Sequence, residues 1–167
     1  MSKKWLPVVV SFVILLLLQV FICNAVYLGI YLNIQIYLMF ILFLPADLSR
    51  LQVLLLSALM GFCVDLLSGD LGLHMAACSV MGYVRPYLLK RISTSDQIEI
   101  PPLNGTHFIQ YFIYTGILIF LHHLFLFTME TFEIREILFI TARTLVSSVF
   151  NIILIGFVRI ITVNVRT

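Results

Sequence analysis

At 167 residues, 62% hydrophobic and 11% charged, with a mean hydropathy of +1.11, the chain has too little polar surface for a water-facing globule; a soluble domain is about 25% charged. That excludes a soluble fold and points to a polytopic integral membrane protein with almost no extramembrane mass. The net charge of +2 says nothing for nucleic acid, because the cations fall at helix ends and in loops.

Taken in order, the apolar runs predict a single all-α membrane domain of six transmembrane helices over residues 5–26, 27–44, 51–67, 73–91, 107–128 and 137–162. Each is long enough to approach a bilayer core of about 30 Å at about 1.5 Å per residue. The first span begins after Lys3 and Lys4 and tolerates Pro7 in its first turn. It imitates a signal peptide, but Ile22 stands where a lipoprotein cleavage wants a small residue, and an uncleaved helix is expected. The second span stops at Pro45. Spans three and four form a hairpin about the break Ser68-Gly69-Asp70-Leu71-Gly72, whose glycines allow a tight turn. A polar loop at 92–106 carries Pro101, Pro102 and Asn104-Gly105 as breakers. Cys23, Cys63 and Cys78 lie inside apolar runs at no metal or disulfide spacing, as small packing residues do.

Lys and Arg placement sets the orientation. With the N-terminus in the cytoplasm, Lys3, Lys4, Arg50, Lys90, Arg91, Arg159 and Arg166 fall at or near that side. Asp70, Glu130, Glu133 and Glu136 then face outward, with Arg135 as the sole outer-loop cation. Both termini are expected in the cytoplasm.

An ionisable group inside a span is costly and needs a partner, a wet cavity or a function. Asp65, Arg85, His122, His123 and Arg143 are such groups. Depth pairs Asp65 with Arg143, whereas Arg85 sits nearer the cytoplasm and is expected to snorkel toward Lys90 and Arg91. Arg143, Ser147 and Asn151 recur every fourth residue, beside Thr144 and Ser148, and this polar stripe should face the bundle or a wet groove. Ser57, Gly61 and Asp65 share that spacing on span three, and Cys78, Gly82 and Pro86 on span four, so these helices are expected to approach closely. A functional alternative gathers Asp65, His122 and Arg143 into an outward polar pocket or partner groove. No HExxH, Gly-x-Ser-x-Gly or phosphate-cradling loop occurs, and adjacent histidines point about 100° apart on a helix, so no enzyme, metal or cofactor is expected.

The run Gly61-Phe62-Cys63-Val64-Asp65-Leu66-Leu67-Ser68-Gly69-Asp70-Leu71-Gly72, continuing through a small-residue helix to Tyr83, resembles the signature of the MreD family. The Leu-Leu-Leu-Gln-Val run at 16–20, the length and the six-span layout are also similar. The resemblance implies a non-enzymatic scaffold of the bacterial cell-shape machinery. Its partner would be the single-span protein MreC, and through it MreB, RodA and a penicillin-binding transpeptidase in lateral peptidoglycan synthesis. It gives Gly61, Asp65, Gly69 and Gly72 structural roles, with Asp65 buried and paired. It also implies a fold similar to the S-components of energy-coupling-factor vitamin transporters, whose solute-binding role is the alternative. Arg143 and the two histidines are not part of the family pattern. A solute binder would need a closed outward cavity and a lid, and short outer loops weigh against a lid.

Overall fold

The computed structural model describes residues 5–70, 72–93, 108–131 and 133–164. Six helices follow one another: α1 Trp5–Phe21, α2 Leu38–Phe43, α3 Arg50–Ser68, α4 Leu73–Ile92, α5 Phe108–Thr131 and α6 Ile137–Asn164. Short 3-10 turns occupy Cys23–Ala25 and Ile134–Glu136, and no strand occurs among the described residues. The protein is all-helical, and among the described residues four helices are long and apolar enough to cross a membrane, at Trp5–Ala25, Arg50–Ser68, Ile109–Thr131 and Ile137–Ile161. Most of the polar loop expected at 92–106 lies outside the described residues, as do Lys3, Lys4 and Arg166.

The expected second span is not one helix. Residues 26–37 run irregularly, with Gly29 at φ +94°, and only Leu38–Phe43 is helical. Hydropathy sees only the apolar side chains of this stretch. Asn33 and Gln35 interrupt it, and a short polar side chain such as asparagine can bond backbone in place of the helical ladder. The six-residue α2 lies at the centre of the protein, with Leu38, Met39, Phe40, Ile41 and Leu42 all buried. It touches α1, α3, α4 and α5.

The α3–α4 hairpin forms as the sequence predicts. Ser49 opens α3 with a reciprocal capping box, its Oγ accepting from the Gln52 N–H at 3.3 Å while Gln52 Oε1 accepts from the Ser49 N–H at 3.0 Å. Gly69 closes α3 at φ +81°, and Gly72 precedes α4 at φ +83°, conformations that a Cβ disfavours. The two helices pack closely along the small residues. A Cβ on Gly61 would stand 2.6 Å from the Met75 Cα, and one on Gly82 would stand 2.6 Å from the Ser57 Cβ. α4 is 20 residues long but the more polar arm, and it packs against α2, α3 and α5, which shield it.

Gly61→Ala is therefore expected to destabilise the protein by about 1–3 kcal/mol, because the obstacle is backbone and cannot rotate aside. Gly156→Ala in α6 meets nothing within 4 Å and should be neutral or stabilising by up to about 1 kcal/mol. Unfolding in mixed micelles compares the two.

Candidate functional site

Irregular backbone at membrane depth must find its hydrogen bonds within the protein. Here α6 supplies them. Ser147 Oγ donates to the Tyr31 carbonyl at 3.0 Å and accepts from the Asn33 N–H at 3.1 Å. One turn on, Asn151 Oδ1 accepts from the Gln35 N–H at 2.8 Å, while its Nδ2 donates to the Asn33 carbonyl at 2.7 Å. From α1, Gln19 Nε2 donates to the Ile34 carbonyl at 2.9 Å and to Asn24 Oδ1 at 2.8 Å. The polar stripe read from the sequence does face inward. Its partner is the main chain at 31–35, held like a strand without a sheet.

A second set of bonds closes the other end of this segment. Arg85 is buried and donates through Nε to the Tyr114 hydroxyl at 2.9 Å, and through Nη2 to the carbonyls of Leu44 and Leu42. Tyr114 Oη donates to the Leu42 carbonyl at 2.8 Å. Arg85 thus caps the last carbonyls of α2 where Pro45 ends the helix. The expected snorkelling toward Lys90 and Arg91 does not occur, since orphan carbonyls lie closer than water.

Asp65 and Arg143 are not paired. Asp65 Oδ1 accepts from the His74 N–H at 3.0 Å, and Oδ2 accepts from the Met75 N–H at 2.8 Å. The carboxylate caps α4 from across the turn, because Gly72 has no side chain to do so. Its charge also meets the positive end of that helix. His74 Nδ1 lies 2.9 Å from Asp65 Oδ1 and 3.3 Å from Asp70 Oδ2, bridging the two acids. Asp65, Asp70 and His74 bring three ligand-type atoms within 4.8 Å of one another, and both oxygens of Asp65 accept from backbone amides at the start of α4, which makes this acid a helix cap.

Arg143 turns instead to the end of α5. Its Nη1 lies 3.0 Å from Glu130 Oε2, its guanidinium stacks over Phe127 at 4.2 Å, and the Asn33 amide, oriented to satisfy both ends, accepts from Nη2 at 2.9 Å. The Arg143–Glu130 pair is partly exposed, so a double-mutant cycle should return a coupling of only about 0.2–1 kcal/mol. The cycle on Asp65 and Arg143 should return none.

His122 and His123 are both fully buried and point apart. His122 Nε2 lies 3.0 Å from the Tyr37 hydroxyl and 3.8 Å from Cys78 Sγ, and Tyr37 packs edge-on to His74 as well. His123 Nδ1 meets the Ile119 carbonyl at 2.8 Å, and its Nε2 lies 3.3 Å from Asn151 Nδ2. The pocket expected from Asp65, His122 and Arg143 is therefore not assembled. Each of the three belongs to a different bonding group.

A cavity of about 300 Å³ does open near the α3–α4 turn, lined by Gln19, Asn24, Asn33, Gln35, His74 and Glu130 among others. The side-chain carbonyls of Gln19 and Gln35 line this region without a protein donor. Sequence reasoning missed these residues, because Asn and Gln inside an apolar run carry no charge to flag them. Their clustering at 19, 24, 33 and 35, around the boundary between the first two expected spans, was the available signal. No family model, curated protein or solved structure matches the chain.

Proposed function

We propose that the protein is a non-enzymatic inner-membrane scaffold of the MreD type, crossing the membrane with both termini in the cytoplasm and binding MreC in lateral wall synthesis. The observation that carries this reading is the hairpin. Every residue of the resembling pattern that was assigned a structural role has a distinct mechanical task there. Gly61 permits the close approach of α4, Asp65 caps it, and Gly69 and Gly72 take positive φ. Gln19, Ser147, Asn151 and Arg85 are engaged in holding residues 31–35 and α2, and apolar helix faces and short loops offer the partner surface. Membrane helices associate through such faces without needing a catalytic centre.

A second reading, a solute-binding subunit similar to the S-components, is favoured by the 300 Å³ cavity and by the irregular segment 26–35 along its wall. That segment provides the cover that short outer loops had argued against, and the carbonyls of Gln19 and Gln35 would accept from a donor-bearing solute.

Affinity purification in gentle detergent, followed by mass spectrometry of proteins and small molecules, separates the two. Near-stoichiometric MreC supports the scaffold. A retained solute with an ATPase-bearing module, and no MreC, overturns it.

A further inference from the structure

At the opposite end of the α3–α4 hairpin, a second cavity of about 210 Å³ is lined by Ser49, Arg50, Val53, Arg85, Leu89 and Lys90 among others. Among the described residues its lining contains three cations and no carboxylate. Asp47, the acid of the preceding connection, is exposed and does not line it. Arg85 forms part of the wall although it is only 1% exposed, and its Nε and Nη2 bond neutral oxygens, those of Tyr114, Leu42 and Leu44. A buried cation whose acceptors among the described residues are all neutral keeps an unbalanced charge, and low dielectric makes a counter-anion valuable there. The cavity is the open space beside it.

The rim supplies further positive charge. Arg50 is held over the Tyr87 ring at 4.6 Å, with Nη1 3.4 Å from the Tyr87 hydroxyl, and Lys90 stands in the last turn of α4. We propose that this cavity binds the phosphate group of an anionic phospholipid, with Arg85 as the floor of the site and Arg50 and Lys90 as its rim. The cavity lies where α3 begins and α4 ends, at the level of lipid headgroups for helices of this length. Val53 and Leu89 give it apolar walls, alongside which an acyl chain can run. Basic pockets between membrane helices at this depth are suited to headgroup phosphates.

The test uses the full-length protein, stripped of lipid in a zwitterionic detergent. It is titrated separately with phosphatidylglycerol, with phosphatidylcholine of the same chains, and with inorganic phosphate. Native mass spectrometry counts bound lipid and thermal melting reports stabilisation. Phosphatidylglycerol should bind about ten-fold or more tighter than phosphatidylcholine. Arg50→Gln combined with Lys90→Gln should weaken phosphatidylglycerol by about thirty-fold, from about 1 kcal/mol per rim cation. Both side chains are exposed, so this variant should melt like the wild type in phosphatidylcholine. Arg135→Gln, an exposed cation in the α5–α6 connection, should leave lipid selectivity intact. Equal affinity for the two lipids, or selectivity unchanged in the double variant, overturns the site. Stabilisation by inorganic phosphate matching that by phosphatidylglycerol overturns its assignment to a lipid.

Discussion

Asn151→Leu should be among the most damaging single substitutions in the protein, costing about 3–6 kcal/mol. Leucine has the same branched heavy-atom skeleton as asparagine and leaves no void, so the loss would come from hydrogen bonding and not from a cavity. Three buried groups lose their partner at once: the Gln35 N–H, the Asn33 carbonyl and His123 Nε2. A buried polar group left without a partner costs about 1–3 kcal/mol. Asn151→Asp keeps an acceptor for Gln35 but removes the donor to Asn33, and it should fall between Leu and wild type. Ile153→Ala, two residues on and 66% exposed, should move stability by no more than about 0.5 kcal/mol. Unfolding in mixed micelles orders the four proteins. If Asn151→Leu behaved like Ile153→Ala, the irregular segment would not depend on α6 for its hydrogen bonds. Because residues 26–35 wall the cavity, the same substitution should also expose positions such as Asn33 and Gln35 to thiol reagents once they are replaced by cysteine.

The stripe that makes this prediction possible was legible in the sequence, and its partner was not. Arg143, Ser147 and Asn151 fall on one face of α6 by periodicity alone, and membrane physics requires that face to point inward. What it points at depends on whether residues 27–44 form a helix, and hydropathy cannot decide that. An apolar run is equally compatible with a spanning helix and with a buried irregular segment whose main chain is satisfied from outside. Gln19, Asn33 and Gln35 were the residues that broke the tie. They were passed over because an amide inside a span costs less than a charge and attracts less notice. Arg85 was misread for a related reason. Its depth along α4 suggested an escape to the membrane surface, yet Pro45, forty residues earlier, ends α2 beside it and leaves carbonyls to be capped. The hairpin was read almost whole, because turn glycines and helix ends act over a few residues, where sequence spacing fixes geometry.

Asp65 joins the local and long-range cases, and Asp65→Leu is expected to cost about 2–4 kcal/mol. The carboxylate serves the N–H groups of His74 and Met75, two of the amides that no helical carbonyl can reach. It is buried, so water is poorly placed to replace it. Loss of a helix cap alone costs about 0.5–2 kcal/mol, and the His74 contact at 2.9 Å adds a second loss. Asp65→Asn retains one acceptor oxygen but turns an amide donor toward the other N–H, so it should recover roughly half of the difference. Asp65→Glu should do worse than asparagine, because one more methylene must fit where Gly61 already holds the helices together. The ranking wild type, Asn, then Leu distinguishes a cap from an ion pair. An ion pair with Arg143 would make Asn nearly as harmful as Leu, and Arg143→Asp would rescue Asp65→Arg. With Arg143 committed to Glu130 across α5 and α6, that exchange should give no rescue, because the two side chains belong to separate bonding groups.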